Sequence, residues 1–361
     1  MDRLITFISV LSILIFVHEY GHYYLAIKNK VTVEVFSIGF GPEIFGWYDK
    51  VGTRWRISLL PLGGYVKMFG ESHIPQNKND NRLTVKAFHY KSVWARAAII
   101  IAGPIANFIF ALFVFTILFS VIGNKRALPI IDNIIQNTPA QKAGLMPNDE
   151  ILEIEGKPIK WFSDISDIIS THAKHPVILT IKRHNTICDI HIIPQAIAVS
   201  NNHQFIGKIG ITAGFFKNYR ETPMNAFRKA CISSYMLMYQ TIDALGGIII
   251  GHRNSSDLGG PIRIAQVSGK VAQSGLGPLL FFIGYLSISL GLINLMPIPA
   301  LDGGHLLFYI IEMIRGKPLH SKVQEYSIRI GMSLVLIFMI FTTCNDLKKL
   351  GLFTFIKSLI M

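Results

Sequence analysis

Apolar positions in this chain gather into long unbroken runs, not into the one-faced stripe of a surface helix. Four such runs, 4–27, 97–122, 279–301 and 330–343, are candidate membrane spans. The fourth is short, closed by the polar run Thr342-Thr343-Cys344-Asn345-Asp346. Residues 244–251 form a further apolar stretch, too short to span and better suited to the interface. Between the first two runs the pattern changes period. Val31-Thr-Val-Glu-Val-Phe-Ser-Ile38 and Trp55-Arg-Ile-Ser-Leu-Leu60 are β-branched, aromatic and partly alternating, with Gly39, Gly41, Pro42, Pro61, Gly63 and Gly64 as punctuation. That composition predicts short strands and hairpins over 28–96, with an Asn-rich surface loop over 71–91.

After the second run the chain reads as a soluble insertion. Pro139-Ala-Gln-Lys-Ala-Gly144-Leu145 predicts a short helix stopped by glycine. Asp149-Glu-Ile151-Leu-Glu-Ile154-Glu-Gly156 then predicts a strand and turn, and 177–183 and 186–193 two further strands. Amphipathic segments follow over 225–250, and Gly259-Gly260-Pro261 begins a turn and re-entry. The resulting divisions are 1–27, 28–96, 97–122, 123–200, 201–278 and 279–361.

Composition agrees with this division: 361 residues, 50% hydrophobic and only 16% charged, describe a polytopic membrane protein with a soluble insertion. The net charge of +13 raises the possibility of nucleic acid, but no aromatic-interleaved basic cluster is present. Lysines and arginines are spread through loops, where they suit anionic lipid head groups. Cys188, Cys231 and Cys344 match neither a disulfide framework nor a metal knuckle. No small-residue cleavage site follows the first apolar run, so a cleaved leader is not expected.

The chemistry begins inside the first run. The fourteen residues from Leu4 to Val17 carry no charge and cover ~21 Å of a ~30 Å hydrocarbon core. They lead directly into His18-Glu19-Tyr20-Gly21-His22. Histidines four apart share one helix face, so both imidazoles can grip one metal ion while Glu19 activates a water there. The pattern alone leaves open two interfacial histidines at a helix end. A third ligand decides, and Asn294-Leu-Met-Pro297-Ile-Pro299-Ala-Leu301-Asp302-Gly303-Gly304-His305 offers one. Two prolines two apart break the helix and free Asp302 within a membrane region, where a carboxylate needs a countercharge. A zinc ion on His18 and His22 supplies it. His305 is assigned to supporting or packing duty, because a catalytic zinc keeps an open position. Gly103-Pro104-Ile-Ala-Asn107 marks a close-packed second span, with Asn107 turned to the protein interior.

Taken together, His18-Glu19-x-x-His22, Gly39-Phe-Gly41, Gly103-Pro-x-x-Asn107 and Asn294-x-x-Pro297-x-Pro299-x-Leu-Asp302-Gly303 resemble the site-2 protease family of intramembrane zinc metalloproteases. The closer resemblance is to its bacterial regulator-of-sigma-E branch. The words of 139–159 resemble a PDZ domain, which takes an extended peptide or chain terminus by strand addition. A small β domain serving only as spacer remains the alternative. The resemblance implies about four transmembrane helices, a membrane-associated β-hairpin and one inserted PDZ domain. It implies one Zn2+ per chain on His18, His22 and Asp302, with Glu19 as general base. It places Asn107, Asn294, Gly39, Gly41, Pro297 and Pro299 in the substrate-binding set. The implied substrates are transmembrane proteins such as anti-sigma factors or signal-peptide remnants. The implied location is a bacterial inner membrane, with the PDZ domain on the periplasmic side. A PDZ receptor with a structural metal and a transporter are the rival classes. Glu19 argues against the first, and the lack of internal repeats against the second.

Overall fold

A computed structural model describes residues 2–71, 86–198, 205–251 and 259–349. Most of the expected surface loop over 71–91 lies outside the described residues. Two compact units emerge, residues 1–122 with 222–361, and residues 123–221.

The first unit is built on helices. The opening apolar run is α1 (Asp2–Lys28), and the second is α2 (Val93–Ile117), prolonged by a π-helical turn at Leu118–Ile122. Ser92 caps α2, its hydroxyl accepting from the Ala95 amide at 3.3 Å. Among the described residues four helical stretches are long and apolar enough to cross a membrane: Leu4–Lys28, Val93–Ile122, Leu276–Asn294 and Lys322–Lys349. The spans differ most from the sequence expectation at the ends of the third and fourth. The third span ends at Asn294 instead of 301, because the Pro297/Pro299 pair forces Leu295–Leu301 out of helix. The fourth is not short: it runs through Thr342–Asp346 to Lys349, since Thr342 and Thr343 satisfy their hydroxyls on backbone carbonyls of the preceding turn.

Apolar surface alone gives little reason for helices to associate in lipid, so close packing over small residues must do it. Gly21 lets α1 touch α2, where a Cβ would come within 2.3 Å of the Ala102 carbonyl oxygen. Val10, Leu14, Val114 and Ile283 form one buried cluster among the first three of these helices.

The segment following α1 folds as the pattern predicts. β1 (Val33–Tyr48) and β2 (Arg54–Met68) pair antiparallel, but each doubles back. Residues 35–38 lie between 64–67 and 54–57, antiparallel to the first and parallel to the second, and 54–57 also pair antiparallel with 45–48, giving one bent sheet of four stretches from two strands, the meander. The bends fall at Gly39 and Gly41 (φ 92° and 89°) and at Gly63 (φ 147°), conformations open to glycine. The outer edge of 64–67 pairs with no other strand among the described residues. The base of the meander joins the helices through Val31, Val33, Phe36, Val66 and Met68, packed with Ala26, Ile99 and Tyr309. At its far end Asp49 accepts from the Tyr23 hydroxyl (2.8 Å), Trp55 Nε1 (2.9 Å) and the amides of Val51 and Thr53.

The second unit opens with β3 (Asn124–Ala127), β4 (Ile131–Ile134) and α3 (Pro139–Lys142). A four-stranded sheet follows, ordered β6-β5-β7-β8, from β5 (Glu150–Ile154), β6 (Lys157–Pro158), β7 (Val177–Arg183) and β8 (Thr186–Ile192). Helix α4 (Phe162–Thr171) covers it, a helix absent from the sequence expectation. The unit then continues past the expected boundary at residue 200. β9 (Gln195–Ala198) pairs with β10 (Phe205–Lys208), while β11 (Ile211–Ala213) and β12 (Phe216–Tyr219) return to β4 and β3. The returning strands are only three or four residues long, too short for a two-residue period to show in the sequence. Ile131, Ile151, Ile154, Ile165, Leu179 and Ile181 form its core. Asp149, 1% exposed, receives Arg183 through Nε (2.8 Å) and Nη2 (2.7 Å) and also the Met146 amide.

Back in the first unit, α5 (Pro223–Ile249) is one 27-residue helix where an interfacial fragment at its end was expected. The expected turn and re-entry is α6 (Pro261–Gln273), its N-terminal amides at Gly260 and Arg263 accepted by Asp346. Then come α7 (Leu276–Asn294), α8 (Asp302–Arg315) and α9 (Ser321–Lys349).

Candidate metal centre

The last turns of α1 present His18 and His22 on the face that meets α2. Among the described residues they and Asp302 form a cluster of possible metal ligands, and their ligand atoms lie within 4.8 Å of one another. Asp302 Oδ2 stands 3.1 Å from His18 Nε2 and 3.5 Å from His22 Nε2, and the two Nε2 atoms are 3.3 Å apart. Zinc bonded at ~2.0–2.1 Å in tetrahedral geometry spaces its ligands ~3.3 Å apart, so the triangle has the right size.

Its electronic character fits as well. His22 Nδ1 donates to the Ile99 carbonyl at 2.9 Å, which leaves Nε2 as a lone pair in the neutral ring. Asp302 Oδ2 is buried with no hydrogen-bond partner among the described residues. Three lone pairs turned toward one point are costly without a cation and favourable with one.

Asp302 reaches this point because it is the first residue of α8, delivered by the turn after the proline break. Gly303 and Gly304 make the turn possible. A Cβ on either would meet backbone of the same turn, 2.2 Å from the Met296 oxygen and 2.4 Å from the Ile298 oxygen. Gly103 is the other steric requirement: its Cβ would lie 2.3 Å from His22 Nε2 and 2.9 Å from His18 Cε1.

A cavity of about 670 Å³ opens at the cluster. His18, Glu19, His22, Asn294, Asp302 and His305 supply part of its polar wall, and the meander contributes Phe40, Gly63, Gly64, Tyr65 and Val66. Glu19, 8% exposed, therefore faces the cavity next to the cluster. Asn294 Nδ2 sits 3.3 Å from His18 Nε2.

The remaining sequence candidates fall elsewhere. Asn107 is fully buried beneath His18, its Nδ2 3.3 Å from His18 Nδ1, and it takes no part in the cavity wall. Gly39 and Gly41 bend β1 but do not line the cavity, because the doubled-back meander turns Gly63 and Gly64 toward it instead. Pro297 and Pro299 shape the turn, while Ala300 and Leu301 reach the wall. Pro299 also seats α9: its carbonyl oxygen occupies the place a Cβ of Gly331 would need. Sequence reasoning missed Gly63, Gly64 and Glu71 as wall residues. The Pro61-x-Gly63-Gly64 word was the available signal for the first two.

Comparison with known proteins agrees with this centre. The model of peptidase family M50 matches residues 6–338. A Rhizobium meliloti protein described as "Putative zinc metalloprotease R01501" is 39% identical over 359 residues, covering 96% of each chain. Metalloprotease MmpA of Caulobacter vibrioides is 32% identical over 391 residues, covering 99% of this chain and 98% of its own. A solved PDZ domain of an SdrC-like protein from Listeria innocua aligns with 26% of this chain at 22% identity and a TM-score of 0.21, too slight a likeness to place a fold. The chain belongs to peptidase family M50 and is a zinc-dependent metalloprotease of the membrane.

Proposed function

We propose that the chain hydrolyses a peptide bond of a membrane-spanning protein substrate, within or at the edge of the bilayer. The observation that carries this reading is the convergence of His18, His22 and Asp302 on one wall of a cavity that also receives Glu19. Zinc on the three ligands would polarise the scissile carbonyl and bring water within reach of deprotonation near neutral pH. Glu19 takes the proton of the attacking water and returns it to the leaving amine. Asn294, whose amide faces the same side of His18, donates to the scissile carbonyl oxygen.

A transmembrane helix hides its backbone in its own hydrogen bonds, so the substrate must unwind to be cut. The unpaired edge of residues 64–67 offers replacement backbone partners beside Glu19, and strand addition there would hold the opened segment. Clamping thus shifts from Gly39 and Gly41 to Gly63–Val66. Residues 123–221 are read as one PDZ-like unit, on the strength of the words in 139–159 and a sheet of short antiparallel strands closed by a helix. Its ligand would be a peptide terminus. A bacterial inner-membrane location is carried over from the family resemblance, and this unit falls on the periplasmic side if residues 28–96, with their eleven Lys/Arg, are cytoplasmic.

The test is Glu19→Gln in the full chain. Zinc content should stay at one per chain while cleavage of a transmembrane reporter disappears. Retained cleavage would remove Glu19 from the reaction, and zinc-independent cleavage would remove the centre.

A further inference from the structure

Two helices face each other across the metal centre in matching steps. His18 and His22 are four residues apart on α1, and Ile99, Gly103 and Asn107 are spaced by fours on α2. The Ile99 carbonyl holds the Nδ1 proton of His22, and Gly103 leaves room for both rings. Asn107 stands against the Nδ1 of His18 at 3.3 Å. Its backbone oxygen is itself tied to α7 by the Ser287 hydroxyl at 2.7 Å, and its side chain is wholly buried.

As placed, the amide nitrogen points at the ring and Oδ1 has no partner among the described residues. The two ends of an asparagine amide exchange by a half-turn, and the proton on the neighbouring ring decides which end faces it. His18 Nε2 is the atom turned to Asp302 and His22, so its lone pair is the one a metal uses. A neutral His18 ligand then carries its proton on Nδ1 and needs an acceptor there. The half-turn gives it Oδ1, at the cost of moving Nδ2 to the unpartnered place. That exchange is favourable because a ring bound to a cation is a stronger donor.

We infer that Asn107 is a positioning residue for the metal: its side-chain oxygen fixes His18 as the Nδ1–H tautomer and aims Nε2 at the ion, as Ile99 does for His22. The inference rests on the zinc-centre reading above and replaces a substrate-seating role for Asn107.

The test is zinc affinity of the full chain in detergent, measured by chelator competition for wild type, Asn107→Asp and Asn107→Leu. Aspartate keeps an acceptor and should bind within a few-fold of wild type. Leucine has none and should bind about 10- to 100-fold more weakly. Wild-type affinity in Asn107→Leu overturns the inference. So does equal weakening in folded Asn107→Asp and Asn107→Leu, which would mean packing alone. Should the leucine variant not fold, 15N-histidine NMR of the zinc-loaded wild type and Asn107→Asp decides. The His18 proton should sit on Nδ1 in both, its resonance shifted in Asn107→Asp by the stronger carboxylate acceptor; a proton on Nε2, or an unshifted Nδ1 signal, overturns the inference. A wild type that binds no zinc would instead defeat the centre itself, so the two failures are separable.

Discussion

Gly103 and His22 stand so close that a single methyl group on the glycine would overlap the ring, with Cβ 2.3 Å from Nε2. The glycine therefore sets the position of an atom facing the metal, although it bears no functional group. Gly103→Ala should push the imidazole aside while leaving the second span intact. A displacement near 1 Å costs about 100-fold in rate when reacting groups are pre-positioned. Zinc content and reporter cleavage should fall together, with unchanged helical circular dichroism.

Metal removal makes a direct prediction. Chelation should abolish cleavage and zinc should restore it. His18→Ala and Asp302→Asn should each lose zinc and activity together, because each takes one corner from the triangle whose edges are 3.1, 3.3 and 3.5 Å. Activity that survives chelation in a zinc-free preparation would contradict the centre.

Gly64 separates zinc binding from turnover. Its Cβ would press on Ile15 (2.7 Å), the Ser37 oxygen (2.7 Å) and Glu19 Cγ (3.0 Å), so Gly64→Val must move either the edge strand or the base. Zinc content should be unchanged while kcat/KM drops at least 10-fold. Wild-type kinetics would show that residues 64–67 do not hold substrate.

Asp49 ties the meander to α1 through Tyr23. Burial on its own would raise this carboxyl's pKa. The donors Trp55, Thr53, Tyr23 and Val51 outweigh it and hold the value below the ordinary 3.8. A depressed folded value means that the contribution is complete above the unfolded pKa and is lost as pH falls through the folded one. The latch should thus persist through neutral and mildly acid pH and open only below 3.8. Tryptophan fluorescence should show an acid transition there that Asp49→Asn removes.

The soluble unit has its own weak point. Asp149 is buried against Arg183, and Asp149→Ala leaves the Met146 amide without its acceptor and the guanidinium with the Gly144 carbonyl in place of the carboxylate. Losing hydrogen bonds to a buried charged acceptor costs about 1.5–3 kcal/mol. Limited proteolysis should cut within residues 123–221 at lower temperature, with zinc content unaffected.

His18, Glu19 and His22 were legible because ligand pairs on a helix must recur every four residues, and a membrane run around them makes charge conspicuous. Asp302 was legible because two prolines beside a lone carboxylate announce a broken helix. The strands of 33–68 showed in their composition, but their doubling back did not, since bends at Gly39, Gly41 and Gly63 depend on which neighbours the strands find. For the same reason the return of β10–β12 and the extent of the second unit escaped periodicity.

The sequence by itself determined where the apolar runs lie, the ligand types and their local spacing, because these follow from helix geometry and from the cost of charge in lipid. Only the tertiary structure decided which asparagine meets the cavity and which lies under a ring, and which glycines face Glu19. It alone closed the triangle between His18, His22 and Asp302, because contact across some three hundred residues is a property of packing, and no local pattern encodes it.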